Sequence, residues 1–355
     1  MDKYKIDSHK LYYHIPELNK WLHNQKLYPI YIEVSPSGTC NHRCTFCALD
    51  YMEYKNRFLD HSVYEKFVKE ISCLGVKSIM LAGEGEPLLH KNISNLILQT
   101  KNFGIDVAIT TNGVLLYKLL SEKILSHVEW IKISINAGTK ETYSKIHQTQ
   151  EKDFTKVLSN IEAAVRIKQD NKINCTIGMQ MVLLPDNKDE VVSLAHQAKD
   201  LQVDYLVVKP YSHHHSSKTK NYKHIEYKEY YHLAEKLRAM NTDDFNIVFR
   251  LNTMKKWDKK LKNFHKCLAL PFWSYIDAAG NVWGCSAYLQ NEKFRYGNIN
   301  DSTFQKIWNG EKRMQSLKWV ESELDIEQCR TNCRMASINK YLWDLKYPPQ
   351  HVNFI

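Results

Sequence analysis

Between about residues 31 and 251, short apolar runs alternate with longer amphipathic stretches six times over. No other feature limits the fold of this 355-residue chain as tightly. Each short run must pair within a sheet, and each amphipathic stretch, helical in period, must bury one face against that sheet. Repeated βα units around a parallel sheet satisfy both demands. The runs at 30–35, 78–82, 107–111, 131–136, 175–184 and 205–208 are the expected strands, and stretches such as 62–74 and 187–201 the expected helices. Gly75 and Gly104 stand where left-handed caps would end the helices before them.

Beyond Leu251 the sequence becomes turn-rich and aromatic, with a hairpin expected around Asp277-Ala278-Ala279-Gly280-Asn281. The chain therefore divides into an N-terminal extension (1–29), an α/β barrel domain (30–251) and a small module with its tail (252–355). Hydrophobic residues at 43% and charged residues at 25% are ordinary for a globular chain. No apolar run approaches the roughly 18 residues of a bilayer span, and no signal-peptide stretch opens the chain, so a cytoplasmic location without a membrane partner is expected. The formal charge of +10 is diffuse. Its densest run, Lys255-Lys256-Trp257-Asp258-Lys259-Lys260-Leu261-Lys262, reads as a solvated helix face. The excess favours an anionic ligand, carrying phosphate or carboxylate.

In parallel α/β folds the loops after the strands converge at one end, where ligands bind. The unusual residues fall there: Cys40, Cys44 and Cys47 after the first strand, Gly83-Glu84-Gly85-Glu86-Pro87 after the second, Thr111-Asn112-Gly113 at the end of the third and Lys209-Pro210-Tyr211 at the end of the sixth. Nine cysteines in a reducing compartment point to metal chemistry before disulfides. Three thiolates from one loop can hold three irons of a [4Fe–4S] cube and leave the fourth open to react. Structural zinc needs four ligands, and His42, inside the same loop, is poorly placed to be the fourth.

CxxxCxxC with Phe46 before its last cysteine resembles the signature loop of the radical S-adenosylmethionine (SAM) superfamily, and Gly83 to Pro87 resembles that family's glycine–glutamate motif. The resemblance implies a partial (βα)6 barrel. It makes Cys40, Cys44 and Cys47 ligands of a [4Fe–4S] cluster whose open iron binds SAM, and it implies an electron donor such as flavodoxin or ferredoxin. Reductive cleavage of SAM would give a 5′-deoxyadenosyl radical that takes hydrogen from a substrate. By matching position, Phe46 would lie beside the adenine and Gly85 with Glu86 at the amino group, and Thr111 and Asn112 would line the same site. Ser134 and Asn136 would reach ribose and carboxylate, although many relatives carry Asp where Asn136 stands. Alternation along Ile131-Lys132-Ile133-Ser134-Ile135-Asn136 sends the isoleucines to one face and Ser134 and Asn136 to the other. The same split on the fifth strand places Gln180 on the face opposite Met179 and Met181, as a contact to SAM or substrate or as a structural amide.

Cys267, Cys285, Cys329 and Cys333 form the second group. On ligand count alone they fit zinc or a fully ligated [4Fe–4S] cluster equally. Gly280-x4-Cys285 after a radical SAM barrel resembles the SPASM and twitch extensions, which implies one auxiliary [4Fe–4S] cluster used in electron transfer. Relatives of this kind include a dehydrogenase of the butirosin pathway, so the analogy points toward a sugar-like alcohol.

Lys209, Tyr211 and Gln180 are the candidates for substrate contact or catalysis, Lys209 as the holder of an anionic group. The run His213-His214-His215 reads as a solvated loop, and Cys73 and Cys175 as small, buried, inert thiols. The tail from Pro348 to Ile355 is stiff and then apolar, which suggests docking. The leading functional reading is oxidation, dehydration or epimerisation of a sugar, aminocyclitol or nucleotide-sugar. A peptide-modifying enzyme is the alternative, disfavoured because about 30 residues before the first strand are too few for a leader-binding domain. A non-catalytic metal- or RNA-binding protein is the reading from another class, and no aromatic-basic interleaving supports nucleic acid.

Overall fold

The computed structural model describes residues 2–260 and 262–354. The six apolar runs form β1 (Tyr31–Val34), β2 (Ser78–Leu81), β3 (Asp106–Thr111), β4 (Trp130–Ser134), β5 (Thr176–Leu183) and β6 (Tyr205–Pro210), all parallel and paired in chain order. Two more parallel strands extend the edges: β7 (Asn246–Phe249) beside β6, and β8 (Trp273–Ile276) beside β1. β7 escaped the sequence reading because four residues carry too little periodicity. An antiparallel turn onto β9 (Asn281–Trp283) and β10 (Arg295–Asn298) completes one ten-stranded sheet, ordered β10-β9-β8-β1-β2-β3-β4-β5-β6-β7. The expected hairpin is thus present, with Gly280 at φ 81° and both oxygens of Asp277 accepting hydrogen bonds across the turn.

The helices in chain order are α1 (Ile15–Leu22), α2 (His61–Cys73), α3 (Ile93–Asn102), α4 (Lys118–Ile124), α5 (Lys140–His147), α6 (Glu151–Asp170), α7 (Val191–Asp200), α8 (Leu233–Arg238), α9 (Leu251–Lys259), α10 (Phe304–Trp308), α11 (Glu311–Ser322) and α12 (Ala336–Lys346). Among the described residues none is long and apolar enough to cross a membrane. Apolar stripes such as Tyr64, Phe67, Val68 and Ile71 of α2 pack on the outward side chains of the strands, among them Ile32, Ile79, Ile109 and Ile131. Cys175 is buried in this core, as expected. Cys73 is a correction: it is exposed, because as the last residue of α2 it sits two positions past Ile71, on the helix face turned to solvent.

Alternation leaves the inward face of the strands to Glu33, Thr110, Lys132, Ser134, Gln180 and Lys209, with Met80, Ala82 and Val182 among them along the cavity and Tyr205, Val207 and Val248 at the base. There the N-terminal segment enters: Tyr4 and Ile6 pack on Tyr205, Val207 and Val248, and Asp7 pairs with Arg250. A second core joins Leu11 and Leu18 of the N-terminal extension to Trp273, Trp283, Val320 and Leu342 of the C-terminal region.

Candidate active site

The loop after β1 is clamped from two sides. Glu86 N donates to Thr39 O (2.8 Å) and Asn112 Nδ2 to Asn41 Oδ1 (2.7 Å), which ties the loop to the ends of β2 and β3. On its other side Arg43 N donates to His147 O (3.0 Å) and Thr45 N to Ile146 O (2.8 Å), at the C-terminus of α5, where carbonyls lack helical partners. The approach to the β2 loop requires glycine: a Cβ at Gly85 would lie 2.1 Å from Thr39 O.

This clamp brings Cys40, Cys44 and Cys47 together, half-buried. Burial pushes the Cys40 thiol up to about 12 and the Cys44 thiol well above its ordinary value, and Cys40 and Cys47 add to the effect on Cys44. Three thiolates this close and this dry are stable only around a cation, so the donor set fits an iron–sulfur cluster.

His147 is the site residue that sequence reading missed, since nothing in the pattern of α5 distinguishes its last position. Its Nδ1 lies 3.1 Å from Cys44 Sγ and its Nε2 2.9 Å from Ile135 O. A carbonyl only accepts, so Nε2 carries the hydrogen. Phe46 meets the same ring edge-on at 5.4 Å.

Glu86 is buried and its carboxylate is already held by Leu88 N (3.0 Å), Thr111 Oγ1 (2.5 Å) and Asn112 N (2.8 Å). It therefore locks the β2 loop to the end of β3, and Gly83 and Gly85 line the cavity beside it. Asn136, at φ 58°, accepts from Val182 N (2.7 Å) and staples β4 to β5. Ser134 and Gln180 do face inward together, 3.2 Å apart.

The cavity, about 350 Å³, extends from the three thiols to Lys132, Lys209 and Tyr211. Neither lysine has a hydrogen-bond or ion-pair partner among the described residues, and the cavity's two acids are taken: Glu33 pairs with Arg334, and Glu86 is fully engaged. Burial, aided by Arg250, lowers Lys132 to about 8. Burial, then Lys132, Arg250 and Arg330, lowers Lys209 well below its ordinary value. Tyr211 is buried with its backbone fixed, its N–H by Tyr227 Oη (2.6 Å) and its carbonyl by Asn332 Nδ2 (2.9 Å).

The histidine run is a second correction. His214 is buried, stacked between Tyr51 (4.5 Å) and His215 (4.4 Å), with Nε2 2.9 Å from Ala287 O. A backbone carbonyl of the C-terminal region satisfies the ring where water was expected.

Cys267, Cys285, Cys329 and Cys333 converge in that region, all half-buried. Burial and the neighbouring thiols push Cys285 up to about 12 and Cys267 well above its ordinary value. Polar groups already surround the sulfurs: Tyr288 Oη lies 3.0 Å from Cys329 Sγ, Ala287 N 3.4 Å from Cys285 Sγ and Asn339 Nδ2 3.8 Å from Cys267 Sγ. The 329–334 loop also covers the barrel mouth through Asn332 to Tyr211 and Arg334 to Glu33. Glu84, whose acid had no assigned purpose, accepts from Ala278 N (2.8 Å) and pairs with Arg57, fixing the C-terminal hairpin to the β2 loop.

The family pattern of the Radical SAM superfamily matches residues 34–198, and that of SPASM, an iron–sulfur cluster-binding domain, matches residues 267–334. Among curated proteins, the GTP 3′,8-cyclase of Chlorobaculum tepidum is 28% identical over 189 residues, 52% of this chain and 55% of its own length. That of Aliarcobacter butzleri is 34% identical over 152 residues, 41% and 46%. The chain thus spans about half the length of these first relatives, although that of Campylobacter jejuni strain RM1221 is matched over 69% of its length at 28% identity. Of solved structures, Streptococcus suis SuiB bound to S-adenosylmethionine superimposes with a TM-score of 0.65 at 18% identity, covering 84% of this chain and 69% of that one. Native anSMEcpe with bound AdoMet gives 0.61 at 20% identity, covering 88% of each. At these identities the likeness establishes the fold alone: a parallel α/β sheet continued into a C-terminal region.

Proposed function

We propose that this chain, whose sequence matches the radical SAM pattern at residues 34–198 and the SPASM pattern at residues 267–334, is an enzyme of radical chemistry working with SAM and two [4Fe–4S] clusters, that it abstracts hydrogen from a small anionic substrate held by Lys132 and Lys209, and that Cys267, Cys285, Cys329 and Cys333 would hold an auxiliary cluster able to take an electron from the substrate radical. The observation that carries this reading is the pair of lysine amino groups facing one cavity whose two carboxylates, Glu33 and Glu86, are engaged elsewhere. A buried charge without a partner is costly, and a ligand phosphate or carboxylate would supply the missing partner.

Cys40, Cys44 and Cys47 would hold the first-loop cluster, which would supply the electron for SAM cleavage and hence the hydrogen-abstracting radical. The remaining work falls to the chain. Ser134 and Gln180 offer hydroxyl and amide to ribose or substrate on the inward face. Phe46 presents a ring edge for the adenine, while Glu86, Thr111 and Asn112 hold the loops in register. Tyr4 and Ile6 below, and the 329–334 loop above, keep water from the radical. The likeness to proteins named GTP 3′,8-cyclase supports a phosphate-bearing nucleotide or sugar as the class to test first.

The test is a panel of sugar phosphates, nucleotides and nucleotide-sugars, assayed with reconstituted enzyme for 5′-deoxyadenosine above the substrate-free rate. For the active compound, Lys132→Met and Lys209→Met should each raise KM about 10- to 100-fold while substrate-free SAM cleavage stays normal. Unchanged turnover would sink the assignment, and loss of SAM binding would transfer the lysine to the carboxylate of SAM.

A further inference from the structure

A groove of about 730 Å³ lies between α1 and α11, and Cys267 forms part of its floor. Apolar side chains lie open in it: Leu22 is 45% exposed and Met314 48%, beside Trp21 and Leu317. Its rim is basic. Lys26, Lys266, Lys318 and Lys346 face one carboxylate, Glu321, which Lys346 already takes at 3.7 Å. Among the described residues neither Lys266 nor Lys318 has an acid within ion-pair distance, and Lys26 lies over the ring of Tyr28 at 5.3 Å. A second groove, about 830 Å³ beside Cys329, is less one-sided, since Glu226, Asp258 and Glu327 stand among its lysines.

An apolar lining with an excess of positive charge, beside a cysteine placed to hold a redox centre, suits a small electron-transfer interface. Such complexes bury little area and depend on electrostatic steering for fast encounter. We propose that this groove docks an acidic flavoprotein that carries one electron at a time, which would remove the electron left on the auxiliary cluster after each turnover. The proposal rests on the reading above that this cluster accepts an electron from the substrate radical. The transfer would balance simply: a [4Fe–4S] cluster held by Cys267, Cys285, Cys329 and Cys333 would go from the 1+ to the 2+ state, and an oxidised flavin would take that electron with one solvent proton to become the neutral semiquinone. No bond between heavy atoms forms or breaks. Cys267 is the ligand that brings the cluster to the groove, so the carrier needs no access to the barrel.

The experiment uses the full chain with Cys40, Cys44 and Cys47 changed to Ala, so that only the auxiliary cluster is loaded. The protein is reduced, freed of reductant and mixed anaerobically with an oxidised bacterial flavodoxin, and semiquinone formation is followed by stopped flow. Adding Lys266→Glu with Lys318→Glu should slow the second-order rate at least about tenfold, as should high salt for the parent. Lys223→Glu in the second groove should leave it unchanged, and transfer to benzyl viologen, a small cation with no use for a basic groove, should be the same in all. A rate untouched by the double reversal, or slowed equally by Lys223→Glu, overturns the docking site and leaves the electron-transfer reading standing. A cluster that reduces neither acceptor overturns both.

Discussion

Tyr288 is one side chain with a measurable electronic consequence. Its hydroxyl, 3.0 Å from Cys329 Sγ, donates to that sulfur once the sulfur is a thiolate ligand, and donors to cluster sulfurs stabilise the reduced, more negative state. Tyr288→Phe, which keeps the ring stacked on Phe294, should lower the auxiliary midpoint potential by less than about 60 mV, the limit set by ~1.4 kcal/mol for the whole bond, since only its strengthening on reduction counts. An unmoved potential in an EPR-monitored titration would show the bond is not made in the loaded protein. Lys132 carries a pH prediction. With its pKa lowered to about 8, its charge is complete well below that value and lost as pH rises through it. Affinity for an anionic substrate should therefore be highest below pH 8 and fall above it, a dependence that Lys132→Met removes. A flat binding profile across that range in the wild type would count against Lys132 as the anion's partner.

At the scale of elements, the clamp on the first loop depends on backbone approach more than on side chains. Gly85→Ala would force a Cβ into Thr39 O, costing about 1–3 kcal/mol and parting the β2 loop from the cysteine loop. Iron after reconstitution should drop from about eight atoms toward about four, the auxiliary cluster alone remaining. Retention of all eight would mean that the loop can relax. The glycine and the cysteines were legible in the sequence because each answers a local demand, for close approach or for metal ligation. The inward pair Ser134 and Gln180 was legible because strand alternation is periodic. His147 and Glu84 were not, since their partners, Cys44 and Ala278, are distant in the chain and leave no periodic trace. His214 was misread for the same reason: composition places three histidines in water, and only the fold brings Ala287 O to meet one of them.

Across the whole molecule, the two cluster regions act as one body. β8 pairs with β1, and the buried carboxylate of Glu84 ties the β2 loop to the C-terminal hairpin and to Arg57. Glu84→Gln should cost about 1–2 kcal/mol, since partly exposed Arg57 loses a charge-assisted bond while water can still reach its guanidinium. Urea unfolding should show the loss as a lower midpoint at unchanged slope, and two separated transitions would instead reveal regions that unfold independently. The pairing of β1 with β8 also bears on how the protein is made. One edge of β1 is covered only by β8, which lies in the C-terminal region, and the residues that roof the barrel mouth come later still. The cavity proposed to hold the radical thus stays unroofed until the segment carrying residues 329–334 has been made and has folded over it, so shelter for a reactive species comes only with the C-terminal region.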